Sequence, residues 1–240
     1  INNLKIDLVY LWCDDSDKKW LQKKQAYQNQ TKKIATDNVA AHRFANNDEL
    51  KYSLRSVEKN LPWINHIYII TDGQKPSWLN LKNKTISIID HSQLIDKKYL
   101  PLFNASAIEI NIHKVPNLSE HFIYMNDDFF IGKPCSKSVF FNSGGIPINY
   151  VYKISKLAQI KKAHKAHLPI KNILVQENLP NLKNNFMIML QRIRHLIFKK
   201  YNYVCDYNLR HTPRSFLKSE CTKTLKIFAN EYNNTLSHRF

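Results

Sequence analysis

The sequence predicts an α/β fold, a mainly parallel sheet flanked by helices, followed by a helical C-terminal part. Three observations predict it. Short β-rich runs at 6–12, 66–73, 85–91 and 121–128 alternate with stretches of helical periodicity at 18–30, 48–60 and 104–114. Strands separated by helices pair in parallel, because each helix carries the chain back across the sheet. Each run also ends at an acid, Asp14, Asp72, Asp90 and Asp127 in turn. The carboxyl ends of the strands are where open parallel sheets bind ligands.

The elements follow in order. "IDLVYLW" (6–12) reads as a buried strand ending at Asp14-Asp15-Ser16-Asp17, where Ser16 or Asp17 can cap a helix through "KKWLQKKQAYQNQ". Residues 48–60 form the clearest early helix: Asp48 and Glu49 suit its positive N-terminus, Leu50, Leu54 and Val57 make an inward stripe, and Pro62 follows its end. "HIYIITDG" and "TISIIDH" are two further strands. "NASAIEINIHK" (104–114) is expected to be helical before Pro116, and "HFIYMNDD" is the next strand. Convergence of the four acids depends on strand order, which the sequence does not contain. The turn-rich "NSGGIP" (142–147) divides an α/β core, 1–141, from a mostly helical part, 142–240. That part holds a basic amphipathic helix at 184–200, suited to core packing or to an anionic membrane surface. Another helix is expected within 210–232, with Thr212 as N-cap and Pro213 at its first position. The whole reads as a Rossmann-like fold.

A chain of 240 residues with 43% apolar content can bury a sizeable core. Its net charge of +17 suits an anionic partner: nucleic acid, an acidic membrane or a phosphorylated substrate. No RNA-recognition or zinc-finger spacing is present, and acids at the strand ends oppose nucleic-acid binding, so no nucleic-acid partner is expected. Cys13, Cys135, Cys205 and Cys221 form no C-x-x-C pair, which fits reduced thiols in the cytoplasm. His164 and His167 have helical spacing but no third ligand nearby, and read as surface residues. No signal peptide or bilayer-length apolar run is seen. Because the sequence begins at Ile1, it reads as an excised segment, with further sequence expected beyond Phe240.

The stretch with the most chemistry is "HFIYMNDDFFIG" (121–132). Asn and Asp often end a strand in a solvated turn. Here Phe129, Phe130 and Ile131 follow at once, and carboxylates among apolar neighbours need a metal or a cation to offset desolvation.

"IDLVYLWCDDSDKKW" (6–20), "NNDELKYSLRSVEKNLPWINHIYIITDGQKPSWLN" (46–80) and "LPLFNASAIEINIHKVPNLSEHFIYMNDDFFIGKP" (100–134) resemble the Stealth family. A shorter block runs from "RHTPRSF" to "SHRF". The family comprises hexose-1-phosphate transferases of bacterial capsule synthesis and is similar to the catalytic core of the animal lysosomal-enzyme GlcNAc-1-phosphotransferase. Two departures stand out. Asp15 replaces a glycine of the family's first block, and the short C-terminal Asn-Asp block lies outside the 240 residues.

The resemblance implies a UDP-sugar donor, Mg²⁺ or Mn²⁺, and an acceptor glycan whose hydroxyl attacks the phosphorus attached to the sugar, releasing UMP. The alternative is a glycosyltransferase that uses the same acids, moves the sugar alone and releases UDP. Phosphoryl transfer needs a hard cation, fixed positive charge and a base. By this resemblance Asp127 and Asp128 are metal and base candidates, with Asn126 orienting one of them. Glu109 and His113 are candidates for direct contact or for an ion pair with Arg55 or Lys114. Arg55 is expected on phosphate or in a bidentate pair, and His211 as a base or a hydrogen-bond donor to the transferred phosphate. Arg239 is a second phosphate clamp, and Asp7, Trp12, Asp14 and Asp17 shape the nucleotide pocket. The expected location is the cytoplasm, with possible peripheral contact at the inner face of the bacterial membrane.

Overall fold

The computed structural model describes residues 3–30, 44–82, 84–153 and 207–240. In chain order, β1 (Ile6–Leu11) leads to helix α1 (Lys18–Gln30), then α2 (Glu49–Asn60), β2 (Ile67–Thr71) and β3 (Ile86–Asp90). A one-turn helix, α3 (Ala105–Glu109), precedes β4 (His121–Asn126). The chain continues through β5 (Val151–Lys153), β6 (Tyr207–Leu209), β7 (Arg214–Leu217), α4 (Lys218–Ile227) and α5 (Ala229–Leu236). The residues divide into two compact units, Ile1–Asn149 with Thr212–Phe240, and Tyr150–His211. In the second unit β5 and β6 pair antiparallel, with Tyr152 opposite Asn208.

The first unit carries a five-stranded sheet in the order β3-β2-β1-β4-β7. The first four are parallel and β7 runs antiparallel to β4. This is the expected Rossmann-like α/β architecture. The chain winds outward from β1 through β2 to β3, then returns to the other side of β1 as β4. The carboxyl ends of β1 and β4 therefore flank the reversal of winding, the usual ligand crevice of open α/β sheets.

Both faces of the sheet are covered, which is why its strands are apolar on both parities. Leu8, Tyr10, Ile69, Ile123 and Met125 face α2, whose Leu50, Leu54 and Val57 stripe is buried against them as expected. Val9, Tyr68, Ile70, Phe122 and Tyr124 face the opposite layer, with Ala107 and Ile108 of α3 and Leu236 of α5. No described helix is long and apolar enough to cross a membrane.

Asp48 and Glu49 sit at the start of α2, where Asp48 takes φ 64° and its carboxylate accepts from Trp78 Nε1 at 3.1 Å. Two local expectations need correction. The helix expected over 104–114 breaks after Glu109 and resumes as a 3₁₀ turn at Ile112–Lys114. The buried Asn111 side chain donates to the Ala107 carbonyl at 2.8 Å, closing the first turn locally. Thr212 and Pro213 do not start a helix, because Arg214–Leu217 is a strand and α4 begins only at Lys218. Sheet pairing overrides the capping signal here: Phe216 stacks on Phe122 with centroids 5.4 Å apart. The Asn149 side chain also brackets Ser215, accepting from its amide at 2.9 Å and donating to its carbonyl at 3.0 Å. The helix expected at 184–200, His164, His167 and Cys205 lie outside the described residues.

Candidate active site

A cavity of about 230 Å³ opens at the carboxyl edge of the parallel strands. Leu11, Trp12 and Cys13 from the end of β1, Tyr124, Asn126 and Asp127 from β4, and Glu109 from α3 all line it. Asp72 and His91 reach it from the ends of β2 and β3, and Trp20, Phe44 and Phe103 form an aromatic wall. Of the four strand-end acids, Asp127 and Asp72 line the cavity, whereas Asp14 and Asp90 do not.

Asp127 is the chemically distinctive group. Burial, reinforced by the neighbouring negative charge of Asp128, pushes its carboxyl up to about 6. Asp128 beside it is exposed. Helix α2 holds this turn through polar residues at i, i+3 and i+7. Ser53 Oγ donates to the Phe129 carbonyl at 2.5 Å, Ser56 Oγ accepts from the Ile131 amide at 3.0 Å, and the Asn60 side chain donates to the Ile131 carbonyl. Tyr10 of β1 completes the set, its hydroxyl lying 2.8 Å from Ser53 Oγ. The backbone after Asp128 is thereby satisfied and fixed, an alternative to the solvated turn that Asn-Asp usually makes.

Glu109 sits between two partners absent from the expectations. Tyr124 Oη donates to Glu109 Oε1 at 2.9 Å, and Arg214 Nη1 lies 3.8 Å from Oε2. Burial and the Glu109 charge hold the Tyr124 phenol protonated, well above the ordinary tyrosine range. Register explains the grouping, since Tyr124 pairs with Arg214 across β4 and β7. In sequence, Tyr124 shows only as one apolar-run residue of two-residue parity with Asn126. Arg214 gives no signal without the strand that replaces the expected helix.

Trp12 is buried and lines the cavity. Asp17 acts locally: it accepts from the Lys19 and Trp20 amides at 2.9 and 3.2 Å, capping α1, and the Trp20 bond is the chief cause of its lowered pKa. Asp14 is tied through its backbone to Gln74, whose amide accepts from Asp14 N at 3.0 Å and donates to Asp14 O at 2.7 Å.

The structure does not bring the other expected residues to the cavity lining. Asp7 is fully buried at the amino-terminal end of β1, accepting from Asn65 Nδ2 and the Ser119 amide, both at 2.7 Å. It ties together the loops that enter β2 and β4, at the edge opposite the cavity. Arg55 is exposed on α2, with its guanidinium 5.5 Å from the Tyr52 ring centroid. His113 is buried, and desolvation, with Lys114 adding repulsion, pushes its imidazole down to about 4. Arg239 binds backbone: Nη1 donates to the Pro101 and Tyr99 carbonyls at 3.0 and 3.3 Å, and Nη2 to the Lys98 carbonyl at 3.4 Å. It thereby anchors the segment that leads to Leu102 and Phe103 of the cavity wall. His211 is exposed, the last residue of the second unit.

Among the described residues, no group of three or more His, Cys, Asp or Glu side chains is placed to hold a metal alone. Mg²⁺, however, is commonly held by one or two carboxylates plus substrate phosphates. Asp127, Asp128 and the Asn126 amide fit that open kind of site, where burial and the Asp128 charge both raise the Asp127 carboxyl.

Residues 43–148 match the family model described as Stealth protein CR2, conserved region 2. The chain is 49% identical over 241 residues to the capsular polysaccharide phosphotransferase LcbA of Neisseria meningitidis, an alignment covering 100% of this chain and 61% of that protein. It is 38% identical to the capsular polysaccharide phosphotransferase fcs1 of Haemophilus influenzae, covering 99% and 61%. It is also 34% identical to the exopolysaccharide phosphotransferase cps2G of Lactiplantibacillus plantarum, covering 98% and 70%. The chain thus spans about 61% of the length of the first two relatives.

Proposed function

This chain belongs to the Stealth family, and from that premise we propose that it transfers a sugar 1-phosphate from a UDP-sugar to a hydroxyl of an acceptor glycan. The product is a phosphodiester and the leaving nucleotide is UMP, a step of capsular or cell-surface polysaccharide synthesis. The observation that carries the reading is Asp127, a half-buried carboxylate raised to about 6 at the point where the sheet reverses its winding.

The acceptor oxygen attacks the phosphorus attached to the sugar, and the bond from that phosphorus to the oxygen bridging the two phosphates breaks. The proton leaves the hydroxyl as the new bond forms. A carboxylate poised near neutrality accepts such a proton efficiently, which suits Asp127, with Asp128 beside it. Glu109 accepts from Tyr124 and faces Arg214, which puts a guanidinium at the same end of β4. Asp127, Asp128 and Asn126 would hold Mg²⁺ or Mn²⁺, which when bound supplies positive charge to the diphosphate. His211 and Arg239 stay in the proposal as phosphate contacts, with Arg239 also anchoring the 98–101 segment. The site would operate in the cytoplasm, next to the membrane where such glycans are built.

The released nucleotide tests the proposal. Chromatography of a reaction with UDP-sugar and acceptor, free of phosphatases, is expected to show UMP appearing with a phosphodiester-linked product. UDP appearing in step with glycan growth would mean attack at the sugar carbon, the glycosyltransferase alternative.

A further inference from the structure

The acids at β4 occupy only one end of the cavity. Its other end lies at β2 and β3, where Asp72 and His91 line it. Both positions are fixed by backbone chemistry. Gly73, at φ +70°, turns the chain after β2, and its amide donates to Asp90 Oδ2 at 2.8 Å. Asp90 also caps the 3₁₀ turn His91–Gln93 by accepting from Ser92 N at 2.9 Å. The two strand ends are thus joined, and His91 begins that turn.

What sets this cavity apart is its unpaired polar atoms. Five buried side-chain polar atoms among the described residues have no hydrogen-bond partner, and four belong to residues lining this cavity. They are Trp12 Nε1, Trp20 Nε1, His91 Nδ1 and Asp72 Oδ2. Trp12, Trp20 and His91 are 6%, 4% and 5% exposed, so water does not readily stand in as their partner. Asp72 Oδ2 lies 2.5 Å from Lys23 Nζ, an ion pair without hydrogen-bond alignment. An unsatisfied buried polar group costs about 1–3 kcal/mol, so a cluster of them around one cavity calls for a ligand that supplies the partners.

The chemistry of the set selects the ligand class. Indole N–H groups only donate, and the Asp72 carboxylate, paired with Lys23, only accepts. Burial lowers the His91 pKa, so the imidazole is neutral near pH 7 and offers one donor and one acceptor. A phosphate would meet the Asp72 charge. A flat ring with N–H and carbonyl groups on its edge meets donors, acceptor and aromatic walls together. We propose that Asp72 and His91, with Trp12 and Trp20, form the seat of the donor's nucleobase. In that seat a base N–H is donated to Asp72, a base carbonyl accepts from an indole or the imidazole, and the ring lies against Trp20 and Phe103. This rests on the reading of a nucleotide-sugar donor and adds where, and by which groups, its base is held.

Calorimetric titration of the chain with UMP and with ribose 5-phosphate tests it, since the two ligands differ by the base. His91→Phe and Asp72→Asn are each expected to weaken UMP binding by about tenfold, the worth of one good hydrogen bond, and to leave ribose 5-phosphate unchanged. Folding of each variant is checked by thermal melting. A variant-free measurement guards against misfolding: in ¹⁵N-labelled wild type the indole N–H resonances of Trp12 and Trp20 should move with UMP and stay in place with ribose 5-phosphate. Folded variants that bind UMP like wild type, or indole signals that ignore UMP while it binds, would overturn the seat and leave the donor reading standing. A wild-type chain that binds neither ligand would overturn both.

Discussion

Lowering the pH from 7 to 4 should unfold this protein partly through His113. The imidazole is buried at the 3₁₀ turn Ile112–Lys114, and desolvation sets its folded pKa near 4, against an ordinary value of 6.5. Lys114 and Lys218 add repulsion, and a hydrogen bond to the Ile110 backbone opposes the shift without cancelling it. The unfolded chain therefore takes up a proton below 6.5 that the folded chain refuses until about 4. Stability from this residue is complete above 6.5 and falls as the pH drops toward 4. A difference of two and a half pH units is worth about 3 kcal/mol at pH 4, a large part of a typical domain's stability. Asp127 works in the opposite sense: its raised pKa means the folded state gains protons first as the pH falls. The wild-type profile alone therefore hides the effect, and the difference from His113→Leu isolates it. Urea unfolding of both proteins at pH 7, 6, 5 and 4 should show wild type losing about 3 kcal/mol relative to the variant. Parallel profiles would refute the argument and place His113 in contact with solvent or a charge partner in the folded state.

Asp127→Asn should stop transfer yet raise stability by about 1–3 kcal/mol at pH 8, by removing a carboxylate whose ionised form is disfavoured by burial; the gain should vanish near pH 4, and thermal melts at the two pH values check it. Ser53→Ala should cost about 1–2 kcal/mol and lower kcat more than it changes KM, because the Phe129 carbonyl loses its donor and the Asp127-Asp128 turn loosens; denaturant melts with steady-state kinetics decide. Arg239→Lys should lower Tm as well as activity, since an ammonium cannot span three carbonyls of the 98–101 segment; an unchanged Tm would leave only a role on substrate. Arg55→Lys should keep near-normal rates, because the side chain is exposed against Tyr52, and a severe loss would restore it to the phosphate.

The sheet was legible because its strands are short, apolar and punctuated by acids, and because helices separate β1 from β2 and β3 from β4. Strand order was not, and order decides which acids meet. With β1 between β2 and β4, Asp127 and Asp72 share a cavity, while Asp90 is consumed by the Gly73 amide and the turn at His91. Periodicity also shows which helix face is buried but not what a polar residue on that face binds. Ser53, Ser56 and Asn60 look like interruptions of the α2 stripe, yet they hold the turn after Asp128. Thr212-Pro213 misled for a related reason. A local capping signal is worth about 1 kcal/mol, less than an edge strand gains from ladder bonds, the Phe216–Phe122 stack and the Asn149 bracket together. The same competition separates the expected site residues. Trp12 after β1 and Asn126 and Asp127 at the end of β4 line the cavity, because the parallel sheet fixes where its carboxyl edge lies. Asp7, by contrast, sits at the opposite end of β1, and Asp14 is tied to Gln74. Those on helices and the C-terminal block depended on long-range packing, and there Arg214 came to Glu109 while Arg55 turned to solvent.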